Sequence, residues 1–188
     1  MQPLGSHDIA SRGAQGKFMT VSEALEQARP KLSCPHPNLP VYIEAFKNSS
    51  LEAVGYAGDG RDSIVIRLAP DDSGVKSVLK VGKPIGPERP FDRTIERGTI
   101  KTEVGPEHRW VPSNPWVPVS YHRQQEGTFG TISWGEMREF ERQVMMPAQW
   151  CLRDPGLDQV ARDAKGEIFL ADYHAAEPYH GPVPPQEK

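Results

Sequence analysis

The sequence predicts an α+β domain, in which short antiparallel strands give way to a helix and a closing hairpin. Three observations lead to that class. β-type segments at 51–56, 63–68 and 78–81 are separated by turn chemistry, first the glycines from Gly55 to Gly60, then Pro70-Asp71-Asp72-Ser73-Gly74. Two capping boxes, Thr20 with Glu23 and Ser133 with Glu136, mark helix starts on either side of the strand-rich stretch. Near the C-terminus, 159–161 and 167–171 flank Asp163-Ala164-Lys165-Gly166, the four-residue loop of a hairpin.

Taken in order, residues 1–18 are polar, carry Gly5, Gly13 and Gly16, and show no hydrophobic period, which predicts a flexible leader. Thr20 opens a short helix through Val21, Ala24, Leu25 and Ala28 that Pro30 stops. Val41-Tyr42-Ile43-Glu44-Ala45-Phe46 reads as the first strand, and the three segments above continue it as a meander. Residues 91–104 are assigned an amphipathic helix, with Gly98 its weak point, since glycine costs roughly 1 kcal/mol in a helix interior. Strand patterning returns at 116–121 and 128–134. The helix opened by Ser133 then runs through Met137, Phe140, Val144 and Met145 toward Trp150, bent at Pro147. The folded domain is expected over 19–178, with a proline-rich tail at 179–188.

Composition narrows the function. A chain of 188 residues, 37% apolar, can bury one ordinary core, so a single domain is expected. A net charge of -3 with both signs interspersed offers no footprint for a polyanion, which argues against a nucleic-acid partner. The two cysteines, Cys34 and Cys151, form neither a metal spacing nor a disulfide framework, as befits a reducing, cytoplasmic setting. No apolar run reaches the roughly 18 residues of a membrane helix, and no signal-peptide pattern opens the chain.

Three features carry chemistry. In Gly58-Asp59-Gly60-Arg61-Asp62-Ser63-Ile64-Val65 the glycines let a turn approach a ligand closely and aim its amides at phosphate oxygens, although a plain hairpin turn has the same composition. Lys80 in Val78-Leu79-Lys80-Val81 shares a strand face with Val78, opposite Leu79 and Val81. On a buried face that ammonium needs an acid or a phosphate; on an edge strand it needs only water. Asp154 precedes the C-terminal hairpin and Asp172 follows its second strand, so both can meet at one end of it, one acid orienting a hydroxyl and the other holding a divalent cation. Turn capping and strand ending are the plainer alternatives.

Together these residues resemble the protein kinase-like family. Gly58-x-Gly60-x-x-Ser63-x-Val65 is similar to the family's Gly-rich loop with serine for the last glycine, and Val78-x-Lys80, fifteen residues past Val65, to its Ala/Val-x-Lys. Arg153-Asp154, Gln159 five residues on and Asp172 eighteen on resemble the catalytic loop and the metal-binding aspartate. Asn114-Pro115-Trp116-Val117-Pro118 is similar to the segment that follows the family's regulatory helix.

The resemblance implies a minimal bilobal fold, an N-lobe over about 19–134 and a reduced C-lobe over about 135–178. It implies ATP held by Gly58, Gly60, Ser63, Val65, Val78 and Lys80, and Mg2+ held by Asp172 and Gln159. Asp154 would orient the acceptor hydroxyl, and Lys80 would pair with a helix acid, Glu103 first and Glu96 second. The base would lie near Ser133-Trp134-Gly135. Gln159 in place of asparagine, Tyr173-His174 in place of Phe-Gly, Leu152 in place of histidine, and only sixteen residues after Asp172 depart from the pattern. They point to the reduced kinase-like domains of bacterial effectors and of polyvalent proteins of phages and mobile elements. The implied activity is γ-phosphoryl transfer to a protein Ser/Thr/Tyr hydroxyl. The alternatives are a pseudokinase that binds nucleotide or a protein partner, and a metal-dependent nuclease or toxin using Asp172 with His122, His174 or His180.

Overall fold

The computed structural model describes residues 18–82, 84, 86–103 and 116–183. The leader at 1–17, Trp110, the Asn114-Pro115 pair and the last five residues lie outside that set. Ten strands and three α-helices are formed among the described residues. The first helix starts where its capping box predicts: Thr20 closes β1 (Met19–Thr20), and its hydroxyl accepts from the Glu23 amide while the Glu23 carboxylate takes the Thr20 amide. Helix α1 (Val21–Ala28) buries Val21, Ala24, Leu25 and Ala28, the i, i+3, i+4, i+7 stripe of an amphipathic helix.

The next segment overturns an expectation. Residues 41–46 are not a strand: they lie in α2 (Leu39–Ala45) and its C-cap Phe46. Pro40 in the first turn is the helix-start signal that the β-branched Val41 and Ile43 outweighed. The result is an αα pair, with Leu39, Val41 and Phe46 buried beside α1.

Strands β2 (Glu52–Gly60), β3 (Ser63–Leu68) and β4 (Ser77–Gly82) form the predicted antiparallel meander. The predicted helix at 91–104 is instead β5 (Thr94–Glu103), an edge strand paired along its length with β6 (Trp116–Gln125). Gly98 explains the misreading. It stands opposite Tyr121, whose ring occupies the space that a Cβ at Gly98 would need, so the glycine is a bed for a cross-strand aromatic rather than a weak helix residue. The six strands run in the order β1-β2-β3-β4-β6-β5.

Alternation along these strands divides the molecule. Ile64, Ile66, Leu79, Val81 and Val119 point to one face and pack with α1 and α2 into the first core. Val65, Val78, Lys80, His122 and Gln124 take the other face.

That second face looks toward a separate core built by the C-terminal half. Residues 128–134 make only a single bridge, Thr128 to Arg162, where a strand was expected. The second capping box then opens α3 (Trp134–Phe140). The helix widens into a π-turn (Glu141–Met145), tightens into a 3-10 turn (Met146–Ala148) over Pro147, and ends at Gln149 with φ 63°. Buried Glu141 holds that turn against the next strand by accepting from the Leu152 amide at 2.9 Å while pairing with Arg138.

Strand β7 (Trp150–Leu152) pairs with β10 (Ala176–Pro178), and β8 (Val160–Arg162) with β9 (Ile168–Leu170), the hairpin foreseen from the loop. Met137, Phe140, Met145, Leu152, Val160 and Leu170 form this second core. Trp116 and Trp134 are about half exposed.

Gly82 ends β4 at φ 151°, and a Cβ there would overlap the Asp62 carbonyl oxygen and stand 2.9 Å from Ser63 Cα. Gly82→Ala is expected to lower stability in urea by about 2 kcal/mol or more. Gly58→Ala, whose Cβ would have no atom within 4 Å, should change it by under about 0.5 kcal/mol. Equal midpoints for the two variants would contradict this packing.

Candidate functional site

Where the two cores face each other lies a cavity of about 490 Å3. The β2–β3 hairpin supplies Gly58, Gly60, Ser63 and Val65 to its wall, and β4 supplies Val78 and Lys80. From the C-terminal half come Phe169, Ala171, Asp172 and His174. The segment leaving β6 supplies Gln124 to Gly127, followed by Phe129. Gly58, Gly60, Ser63, Val65, Val78 and Lys80 therefore border this one space, and Asp172 joins them. Gly58 and Gly60 have open space where a Cβ would go, so their lack of side chains leaves room on the cavity side. Gly127 differs: a Cβ there would press on Ala161 at 2.6 Å and Phe169 at 2.7 Å, so the crossing needs a glycine for packing.

Lys80 is part-buried, and its ammonium donates to the Ala171 carbonyl, tying the sheet to the end of β9. Burial pushes its pKa down and the Asp172 carboxylate pulls it up, leaving it near 8. Neither acid proposed from sequence pairs with it. Glu103 sits at the far end of β5 opposite Trp116, six positions beyond Arg97, the residue level with His122 and hence with Lys80. At about 3.3 Å per residue that is roughly 20 Å along the strand. The Glu96 carboxylate accepts from the Tyr121 hydroxyl at 3.0 Å instead.

His122 is buried beside Lys80 across the ladder, and its ring stacks edge-on with Tyr173 at 4.7 Å. Burial, then the charges of Lys80, Arg97 and His174, hold it down to about 3, so it is neutral at physiological pH.

Asp172 caps the 3-10 turn Tyr173–Ala175 by accepting from the His174 amide at 3.0 Å. The next residue is clamped harder. Buried Arg89 donates to the Tyr173 carbonyl at 3.1 Å, and its guanidinium lies over the rings of Trp150, Tyr173 and Phe91 at 5.0, 5.2 and 5.4 Å. Its charge is met by the fully buried carboxylate of Asp92, which Arg97 also contacts at 3.1 Å. Sequence reasoning missed this group, because a loop arginine between two prolines carries no periodic signal.

The residues proposed for chemistry rather than binding lie apart. Asp154 is exposed and does not border the cavity. Gln159 turns inward on its own loop, accepting from the Gly156 amide and donating to the Asp154 carbonyl. Its backbone carbonyl accepts from both Ala171 and Asp172 at 2.7 and 3.1 Å, which seats the Asp154–Gln159 loop against Asp172. Ser133-Trp134-Gly135, expected near the base, opens α3 and does not border the cavity, whereas Gln125 to Gly127 do.

Among the described residues no group of three His, Cys, Asp or Glu side chains could hold a metal ion by itself, and no helix is long and apolar enough to cross a membrane. No protein-family model matches the chain, and no curated protein matches it in sequence.

Lys80 gives a test of this geometry. Its folded pKa near 8 lies below the ordinary 10.5, so between those values the unfolded chain binds more protons and stability rises with pH. Urea unfolding of wild type relative to Lys80→Met should therefore show wild type gaining as pH goes from 8 to 10. A difference constant over that range would mean that the ammonium is solvated.

Proposed function

We propose that the protein is a kinase-like module that binds ATP with Mg2+ in the cleft between its two cores. One observation carries the reading: Lys80 and Asp172, far apart in sequence, border a single cavity together with the Gly58–Ser63 turn. A volume of about 490 Å3 suits a small molecule. The chemistry of the lining matches, with open backbone at Gly58 and Gly60 for phosphate oxygens and one ammonium, Lys80, to neutralise them. The peptide groups of Gln125 to Gly127, between Val65, Val78 and Phe169, would take the base.

Mg2+ fits on limited terms. Such ions are held by one or two carboxylates with the rest of the shell from water and phosphate, so Asp172 alone can serve when a nucleotide is present. Gln159 does not border the cavity, and its side chain is turned onto Gly156 and Asp154. The cation would supply charge neutralisation at the phosphates.

A second reading, γ-phosphoryl transfer to a protein hydroxyl, is favoured by the seating of the Asp154 loop. Its exposed acid is joined through Gln159 to the strand end that carries Asp172, where an acceptor could approach from solvent. The binding residues converge more fully than the chemical ones, and the reading that asks only for binding is therefore placed first. The metal-dependent nuclease has no comparable support.

Calorimetry with Mg·ATP should give saturable binding that Asp172→Ala and Lys80→Met each weaken at least about tenfold, the scale of a lost charge-assisted contact. No heat of binding by wild type would end the proposal. With γ-labelled ATP and a mixture of acceptor proteins, label transfer abolished by Asp154→Asn but with binding retained would establish the second reading over the first.

A further inference from the structure

The glycine turn, which borders the cavity as far as Asp59, also holds a second cluster through that residue's carboxylate. Asp59, between Gly58 and Gly60, turns a carboxylate that is only 1% exposed onto the segment joining the 3-10 turn Arg29–Lys31 to α2. It accepts from the Ser33 amide at 3.0 Å, the Ser33 hydroxyl at 3.1 Å, the Cys34 amide at 2.9 Å and the Tyr56 hydroxyl, and His36 Nε2 stands 3.3 Å away. Burial alone would raise its pKa, but the donors from Tyr56, Ser33 and Cys34 outweigh it and hold the group well below the usual carboxylate range.

A charged group so fully satisfied is costly to disturb. It is also unusual for a hairpin tip, which loses order readily when it rests only on its own ladder. The ladder here is broken by register shifts between Ala53 and Gly55 and between Tyr56 and Gly58. The pairs from Gly58 to Ser63 are in register and β3 is held by β4, so on the β2 side the bulges leave the Asp59 carboxylate as an added tie. The Ser33–His36 segment is itself anchored, because α1 and α2 on either side are packed into the first core.

We infer that Asp59 is a positioning residue, clamping the Gly58–Ser63 turn to the Ser33–His36 segment so that the turn's backbone is held ready at the mouth of the cavity. Asp59 borders the cavity, but its carboxylate is 1% exposed and taken up by Ser33, Cys34 and Tyr56, so the clamp acts through the position of the turn and not by offering that carboxylate to a ligand. It makes the N-terminal helical pair part of the binding apparatus, since movement of the α1–α2 connection would be passed to the turn. For affinity the inference rests on the nucleotide reading above; for the turn's rigidity it does not.

The test uses the full chain with Asp59→Asn, which keeps the shape but sets an amide against amide donors, and with Tyr56→Phe, a milder cut in the same cluster. Amide hydrogen exchange without ligand should quicken roughly tenfold or more at residues 58–63 in Asp59→Asn, less in Tyr56→Phe, and stay unchanged at 79–81 and 119–121. Mg·ADP affinity should fall about tenfold in Asp59→Asn. Unchanged exchange at the turn, or an increase spread evenly over the sheet, would overturn the clamp. A loosened turn with wild-type affinity would overturn its role toward ligand. If wild type itself bound no Mg·ADP, the nucleotide reading would fall while the exchange result still decided the clamp.

Discussion

The ammonium of Lys80 bridges the two halves of the molecule. It leaves the face of a sheet whose opposite side is a packed core, and it reaches the Ala171 carbonyl at the end of the C-terminal hairpin. A cation in that place must be compensated, and among the described residues the carboxylate acting on it is Asp172. The acid is held one peptide beyond the carbonyl that Lys80 binds. The hairpin, the sheet and the cavity between them are thus arranged around one partly satisfied charge.

Two carboxylates that are buried, unlike the exposed Asp172, behave oppositely to that charge. Asp92 is matched by Arg89 and Arg97, and Asp59 by donors from Ser33, Cys34 and Tyr56. Their demands are met inside the protein, so they fix the chain: one behind Tyr173, the other behind the glycine turn. Lys80 and Asp172 are left facing the cavity with capacity to spare. Rigid flanks with an incompletely satisfied centre are what preorganised binding requires.

The same logic separates binding from chemistry. A polyphosphate needs charge and open backbone, which three neighbouring strands and one hairpin end provide. Transfer needs an acid aimed at the acceptor, and Asp154 remains on an exposed loop seated by Gln159 on one side and by the Arg153 amide on the Ala175 carbonyl on the other. His122, held neutral, would add no charge to the proposed phosphate site, because its ring is spent on packing against Tyr173.

Local chemistry in the sequence determined both capping boxes, the three-strand meander, the C-terminal hairpin and the alternation that puts Val78 and Lys80 on one face. Each depends on residues within a few positions, where propensity and periodicity act. The tertiary structure decided what local rules left balanced. Pro40 won over Val41 and Ile43 once α1 offered a surface to pack on, and the segment around Gly98 became a strand because β6 supplied Tyr121 to cover it. Glu103 lost its expected role with that change. The Arg89–Asp92–Arg97 group and the Asp59 cluster were invisible in the chain, because their partners lie on other elements and a buried charge has no period. Convergence at the cavity has the same origin: spacing suggested Lys80 and Asp172, but only the packing of two cores against each other brought them to one space.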